Sequence, residues 1–461
     1  MEHPSLSRRR FLLWSAAATV AACGDRRVDP SRSASAMTPN STAGAATRAP
    51  APSPTPFAVA ARPRRTLFRD GALTDAHSDR LDRGVSILVQ DGTIRWIRPS
   101  DDEGDPGPRD GLEVVDASGA TFVPGMVDAH SHVTLPGGAH WIDRIGDPPA
   151  ALLEVAERNG RLLTAAGVRW ARDVGAPYVD DPVDGRRRAL SLGVRDRWRG
   201  QPGYPHLRAG GTWLEKAGTL PPAAHTVEAS TAKDLLDNAV GQLDDGVDFL
   251  KLYLDGPDPD ASPWTAAQIA PVVEAAHGRG IRVTAHSGRL SGAREGVKGG
   301  VDAIEHGFQL DALVVAEMAE RGTFLVSTLA VMESWLTFGR TTTLPRFAGA
   351  DGRRTIIARK EQAIDSIRLA RRAGVRIASG TDFGGGSLRA TQLAWEVETL
   401  VAAGLEPWEA LAAATWRGGE VLGEPDAGVI REGGPADFFL VHGDPLSDPA
   451  ALWRVWRVAW A

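Results

Sequence analysis

Between about residues 122 and 424 the chain alternates short apolar runs with longer amphipathic stretches. Eight runs read as strands: "MVDAHSH", "VRWARDVG", "HLRAGG", "DFLKLYLD", "IRVTAHS", "DAIEHG", "TFLVST" and "VRIASGTD". Between several of them the apolar period lengthens to that of a helix, as in "ALLEVAERNGRLLTAAG", "AAQIAPVVEAAHGRG", "SGAREGVKGG" and "TIIARKEQAIDSIRLARRAG". Eight strands separated by helices predict an α/β fold, a (β/α)8 barrel. In that fold the chemistry collects at the C-terminal ends of the strands, so functional side chains should be the last residues of their strands.

The flanks carry a different pattern. From Arg65 the chain reads as short alternating strands with turn signals, "TLFRDGALTD", "GVSILVQDGTIRWIRP" and "LEVVDASGATFVPG". Asp91-Gly92 between two apolar runs is a hairpin signal. A second strand group, "AGVIREGGPADFFLVHGDP" and "ALWRVWRVAWA", closes the chain. Residues 64–121 and 425–461 are therefore expected to build one small β-sandwich domain from both termini, beside a barrel over 122–424.

The first 63 residues have little to bury. "SRRRFLLWSAAATVAACG" sets Arg8 and Arg9 before an apolar run that is too short to span a bilayer. The layout resembles a twin-arginine export signal, and Val20 to Cys23 resembles a bacterial lipobox. This implies a signal peptide over 1–23, with Cys23 lipidated, and a protein that is periplasmic or on the cell surface. The Pro-, Ser- and Ala-rich stretch 24–63 reads as a disordered tether, so the membrane is expected as a partner only through Cys23. Cys23 is the single cysteine, which excludes an intramolecular disulfide framework and a thiolate zinc cluster. A formal charge of −6 without a basic stripe gives no reason to expect nucleic acid. A homo-oligomer is neither required nor excluded.

Candidate chemistry starts at "FVPGMVDAHSHV". On a strand, residues i and i+2 share a face, so His130 and His132 can hold one metal, although two ordinary histidines would look the same. His286 ends the fifth candidate strand, His306 the sixth and Asp382 the eighth, while Lys251 lies in the fourth. Six such residues at matching places are hard to assign to chance. His77, His140, His206, His225, His277 and His442 have no comparable placement and read as ordinary histidines.

With "VPGMVDAHSH", "RDVG", "FLKLYLDG", "AHSGRLSGAREGVKGGVDAIEHG", "ASGTDFG" and "GGPADFFLVHGDPL", the chain resembles the amidohydrolase superfamily. The branch it is most similar to is that of the imidazolonepropionase-like and prolidase-like enzymes. The resemblance implies two divalent metal ions, zinc by donor type, with His130 and His132 on the more buried one and His286 and His306 on the other. It further implies a carboxylated Lys251 bridging both ions and Asp382 as a ligand of the first. A hydroxide between the ions would attack the scissile carbonyl, with Asp382 as general base and then general acid.

Substrate selection belongs to the loops after the strands, which carry Trp141, Tyr178, Trp213, Tyr253 and Trp335, with Arg289 after the fifth. Aromatic walls and one arginine point to an apolar acyl group and a free carboxylate held by Arg289, as in a dipeptide or N-acyl amino acid. "AGTLPPAAHTVE" stands where many members of the branch carry a Gly-Gly-His loop. The same metals could instead act on a cyclic amide, lactone or phosphotriester. From a different class, the barrel could serve as a non-catalytic, lipid-anchored binding protein. The Asp382→Asn variant separates the classes: a catalyst is expected to lose most turnover in a steady-state assay, whereas a binder should retain its ligand.

Overall fold

The computed structural model of the protein describes residues 64–220 and 225–459. The expected export signal, Cys23 and the expected tether lie outside the described residues. The chain begins with β1 (Arg65–Leu73), β2 (Asp82–Gln90), β3 (Thr93–Pro99), β4 (Leu112–Asp116) and β5 (Ala120–Pro124). β2 and β3 pair as a hairpin with Gln90 opposite Thr93. The two residues between them, Asp91 and Gly92, have φ of +48° and +75°, as a two-residue type I′ turn requires.

The barrel strands follow: β6 (Met126–Ser131), β7 (Val168–Asp173), a small hairpin of β8 (Tyr178–Asp180) with β9 (Arg187–Ala189), β10 (His206–Ala209), β11 (Trp213–Lys216), β12 (Thr226–Ala229), β13 (Phe249–Tyr253), β14 (Arg282–Ser287), β15 (Ala303–His306), β16 (Phe324–Ser327) and β17 (Ile377–Ser379). β18 (Phe438–His442) and β19 (Val455–Val458) come last. Every residue of β6, β7, β13, β15, β16 and β17 is buried. Strands covered on both faces read as near-continuous apolar runs, which is how the sequence shows them.

Two parallel sheets form, β10-β7-β6 and β12-β11-β13-β14-β15-β16-β17. They meet along two seams. At one, Asp382 N donates to His130 O (2.7 Å) and His132 N to Phe383 O (2.9 Å); at the other, Asp248 N donates to Ala209 O (2.9 Å). Helices Pro149–Ala165, Ala232–Asp244, Ala266–His277, Leu290–Lys298, Ala312–Arg321 and Ala350–Ala373 connect the strands, giving the TIM-barrel architecture.

The third strand departs from its expected form. "HLRAGG" is strand only to Ala209; the chain bends at Gly210 and Gly211 and resumes as β11, and part of the expected loop becomes β12. The bend is tied down by Gln242, whose side chain accepts from Thr212 N (3.0 Å) and donates to Thr212 O (2.8 Å). β10 thereby pairs with β7, while β11 pairs with β13 at Leu214 and Leu252.

The outer sheet has the order β19-β18-β5-β1-β2-β3, with β4 also on β1, so the first five strands and the last two share one sheet. Phe68, Phe122 and Phe438 meet edge to face at its centre, with centroids 5.3–6.2 Å apart. The pairing of β18 with β5 joins residues more than 300 positions apart, and Phe438 is the largest side chain β18 contributes to that core, while Phe439 faces the barrel core on the other side of the strand. Phe438→Ala is expected to lower stability by about 3–5 kcal/mol, measured as a shift in denaturant midpoint.

Candidate metal centre

Six polar side chains line one cavity of about 390 Å³: His130, His132, Lys251, His286, His306 and Asp382. The imidazoles are contiguous, with centroid separations of 5.6 Å for His130 and His132, 4.6 Å for His130 and His306, and 4.6 Å for His306 and His286. Asp382 Oδ1 lies 3.4 Å from Nε2 of both His130 and His132. That triad is compact enough for its donor atoms to share one ion.

The six are not all last in their strands, as the barrel rule suggests. His306 ends β15, but His286 is penultimate in β14, Lys251 is central in β13, and Asp382 lies three residues beyond β17. Two of them sit on strained backbone: His306 has φ of +70° and Asp382 of +52°. Left-handed conformation in a non-glycine residue costs of order 1–3 kcal/mol and persists only where surroundings enforce it. At Asp382 the enforcing group is Asp128, fully buried in β6, which accepts from Thr381 N (3.0 Å) and Thr381 Oγ1 (2.6 Å).

Each histidine has one ring nitrogen held. His130 Nδ1 meets Glu305 Oε2 at 2.6 Å, and His132 Nδ1 meets Gly175 O at 2.8 Å. Those acceptors fix the proton on Nδ1 and leave Nε2 with its lone pair. His286 Nε2 lies 3.2 Å from Asp255 Oδ2, and His306 Nδ1 lies 2.8 Å from Thr328 Oγ1. Glu305 also receives Arg172 and the Thr284 hydroxyl. Burial works to raise the Glu305 carboxyl, but Arg172, Lys251 and His130 outweigh it and hold the group well below the usual carboxylate range. Lys251 differs from the rest. It is buried, its Nζ has no hydrogen-bond partner among the described residues, and burial pushes its pKa down to about 8.

Of the residues expected at the substrate, Trp213, Tyr253 and Arg289 all line the cavity. Trp213 donates its indole N–H to Val174 O (2.9 Å), and Tyr253 stacks on His286 with centroids 4.2 Å apart at 7°. Arg289 donates to Gly256 O (2.6 Å). Trp141 and Trp335 complete the wall, 6.3 Å apart and nearly parallel. Tyr178 instead pairs with Arg187 in the β8–β9 hairpin.

Sequence reasoning missed Glu305, Asp255 and Thr328. An acidic residue inside the apolar run "DAIEHG" was the available signal for Glu305; nothing local marks the other two. His225, read as an ordinary histidine, does not line the cavity; it is buried beside Trp213 with both ring nitrogens unpartnered among the described residues. Burial pushes His225 down to about 3, so it is neutral near physiological pH.

The family model described as "Amidohydrolase family" matches residues 121–458. An uncharacterised protein of Mycobacterium tuberculosis is 29% identical over 376 residues, covering 80% of this chain and 91% of its own. Imidazolonepropionase of Cupriavidus pinatubonensis is 27% identical over 406 residues, covering 82% and 88%. Among solved structures, a Xaa-Pro dipeptidase with methionine bound in its active site superposes with a TM-score of 0.70 at 23% identity, covering 85% of this chain and 97% of that one.

The acceptor of His132 depends on close packing. A Cβ on Gly175 would fall 2.0 Å from Nε1 of Trp213, so this position admits no side chain while Trp213 keeps its bond to Val174 O. Gly175→Ala is expected to destabilise the fold by about 1–3 kcal/mol in denaturant unfolding, as overpacked cores do.

Proposed function

The chain belongs to the amidohydrolase family and is a hydrolase acting on carbon–nitrogen bonds, and from that premise we propose that it cleaves the amide bond of a dipeptide or an N-acyl amino acid. The observation that carries the reading is Lys251, a buried amine that has no hydrogen-bond acceptor among the described residues and is set among four imidazoles and Asp382. A buried lysine left as an unpaired cation would be costly. Converted to a carbamate, it becomes an anionic oxygen donor suited to the centre of such a cluster. With a pKa of about 8, roughly a tenth of Lys251 is neutral at pH 7. The neutral nitrogen can attack carbon dioxide, forming the N–C bond and releasing its proton.

The donor set would suit two divalent cations, His130, His132 and Asp382 holding one and His286 and His306 the other. Imidazole and carboxylate donors favour zinc. When bound, such a pair supplies water activated near neutral pH and polarisation of the scissile carbonyl. The chain's own residues do the rest. Glu305, Gly175 O, Asp255 and Thr328 keep the four rings oriented. Asp382 takes a proton from the attacking water as the new C–O bond forms, then gives it to the leaving nitrogen as the C–N bond breaks. Trp141, Trp213, Tyr253 and Trp335 offer an apolar wall to the acyl side.

The methionine in the active site of the Xaa-Pro dipeptidase supports an amino-acid product. A cyclic amide is the second reading, favoured by the imidazolonepropionase relative. The leader supports a further proposal, that the twin-arginine pathway exports the enzyme and a lipid on Cys23 holds it at the membrane by the 24–63 tether.

Elemental analysis of the full-length protein is expected to give about two metal ions per chain, falling sharply in Lys251→Ala. One ion per chain, unchanged by the substitution, would sink the bridging role of Lys251.

A further inference from the structure

Three guanidinium groups line the cavity: Arg289, Arg354 and Arg359. Arg354 sits at the rim and pairs with Asp351. Arg289, at the start of helix Leu290–Lys298, spends a donor on the Gly256 carbonyl. Arg359 comes from the opposite direction in sequence, from the helix Ala350–Ala373 between β16 and β17. It is half-buried yet makes no hydrogen bond or ion pair with a described residue.

Its surroundings leave a positive excess. Burial holds the Arg359 pKa below its ordinary value; Asp255 works the other way and Arg289 adds to the depression. Asp255 is already engaged by His286 Nε2 (3.2 Å), Gly288 N (3.0 Å) and Ser287 Oγ (3.4 Å). Two cations therefore share one carboxylate that is satisfied elsewhere. A planar guanidinium with free donors, in a partly dehydrated pocket, is matched by a carboxylate bound through two parallel hydrogen bonds.

We propose that Arg359 is the specificity-determining group that binds a free carboxylate on the substrate. This rests on the amide-hydrolase reading above and names its substrate class more narrowly. The sequence points to Arg289 for that role, but Arg289 braces the loop after β13 and contributes field rather than an open fork. Substrates whose carboxylate is masked as an ester or amide should be excluded, and the Gln309–Gln362 pair (3.1 Å) forms the neutral rim beside Arg359.

The test uses the metal-loaded full chain and two probes that cannot be hydrolysed, 3-phenylpropionate and 3-phenylpropanol, in calorimetric titrations. The acid is expected to bind the parent more tightly than the alcohol. Arg359→Gln should weaken the acid by roughly 10- to 100-fold and leave the alcohol unchanged, with Arg359→Lys recovering part of the loss. Because Arg359 has no hydrogen bond or ion pair to lose among the described residues, melting temperatures should match, which separates this effect from misfolding. Equal binding of the acid to parent and Arg359→Gln would overturn the proposal and assign the carboxylate to the metals or Arg289. Absence of saturable acid binding at millimolar concentration would overturn it too. Binding is read without turnover, so a protein that failed to cleave amides while passing this test would refute only the amide reading.

Discussion

An imidazole presents its lone pair to a cation from a chosen nitrogen and in a chosen direction when its other nitrogen has a fixed hydrogen-bond partner. That requirement, applied four times over in one cavity, governs much of this structure. Glu305, the Gly175 carbonyl, Asp255 and Thr328 supply the partners, and they come from β15, the end of β7, the end of β13 and the end of β16. A closed arrangement of parallel strands brings acceptor and ring together: for His132, His286 and His306 the acceptor follows the neighbouring strand, about 5 Å away, whereas Glu305 of β15 meets His130 of β6 inside the barrel, from a strand that is not its neighbour.

Glu305 shows how the burden is shared. A buried carboxylate would ordinarily take up a proton and release the ring it orients. Arg172 reaches it from β7, fully buried itself, and so keeps it ionised while donating to the Ala129 carbonyl at 2.6 Å. The cost of burying two charges is tolerated because each has several partners. The same economy appears at the β6–β17 seam. Asp128 holds Thr381, which sets the strained turn that presents Asp382 to His130 and His132. Seam closure and ligand presentation are thus one structural event.

The cavity wall divides into functions by chemistry. Aromatic rings that are hydrogen-bonded or stacked, such as Trp213 and Tyr253, are rigid surfaces with little entropy to lose on ligand contact. Arginines whose donors are already placed stabilise loops, and an arginine with donors free is left to recognise something that arrives. Distinguishing those cases requires knowing every partner, which is a property of the folded chain.

The sequence alone determined the strand and helix alternation, the Asp91-Gly92 hairpin and the six polar residues near strand ends. These depend on local periodicity and on residue types too costly to bury without purpose. It also carried the family resemblance, since the motifs are contiguous. Tertiary structure decided what no local pattern encodes. It split the third strand at Gly210 and Gly211, because Gln242 from a later helix captures Thr212. It decided that His225, an ordinary histidine by its sequence, is a buried neutral ring beside Trp213. It brought Glu305 and Asp255 behind the histidines and set Arg359 and Arg289 in the lining of one cavity. Each of these rests on contacts between segments distant in sequence, where the side chain's role is defined by what closure places against it.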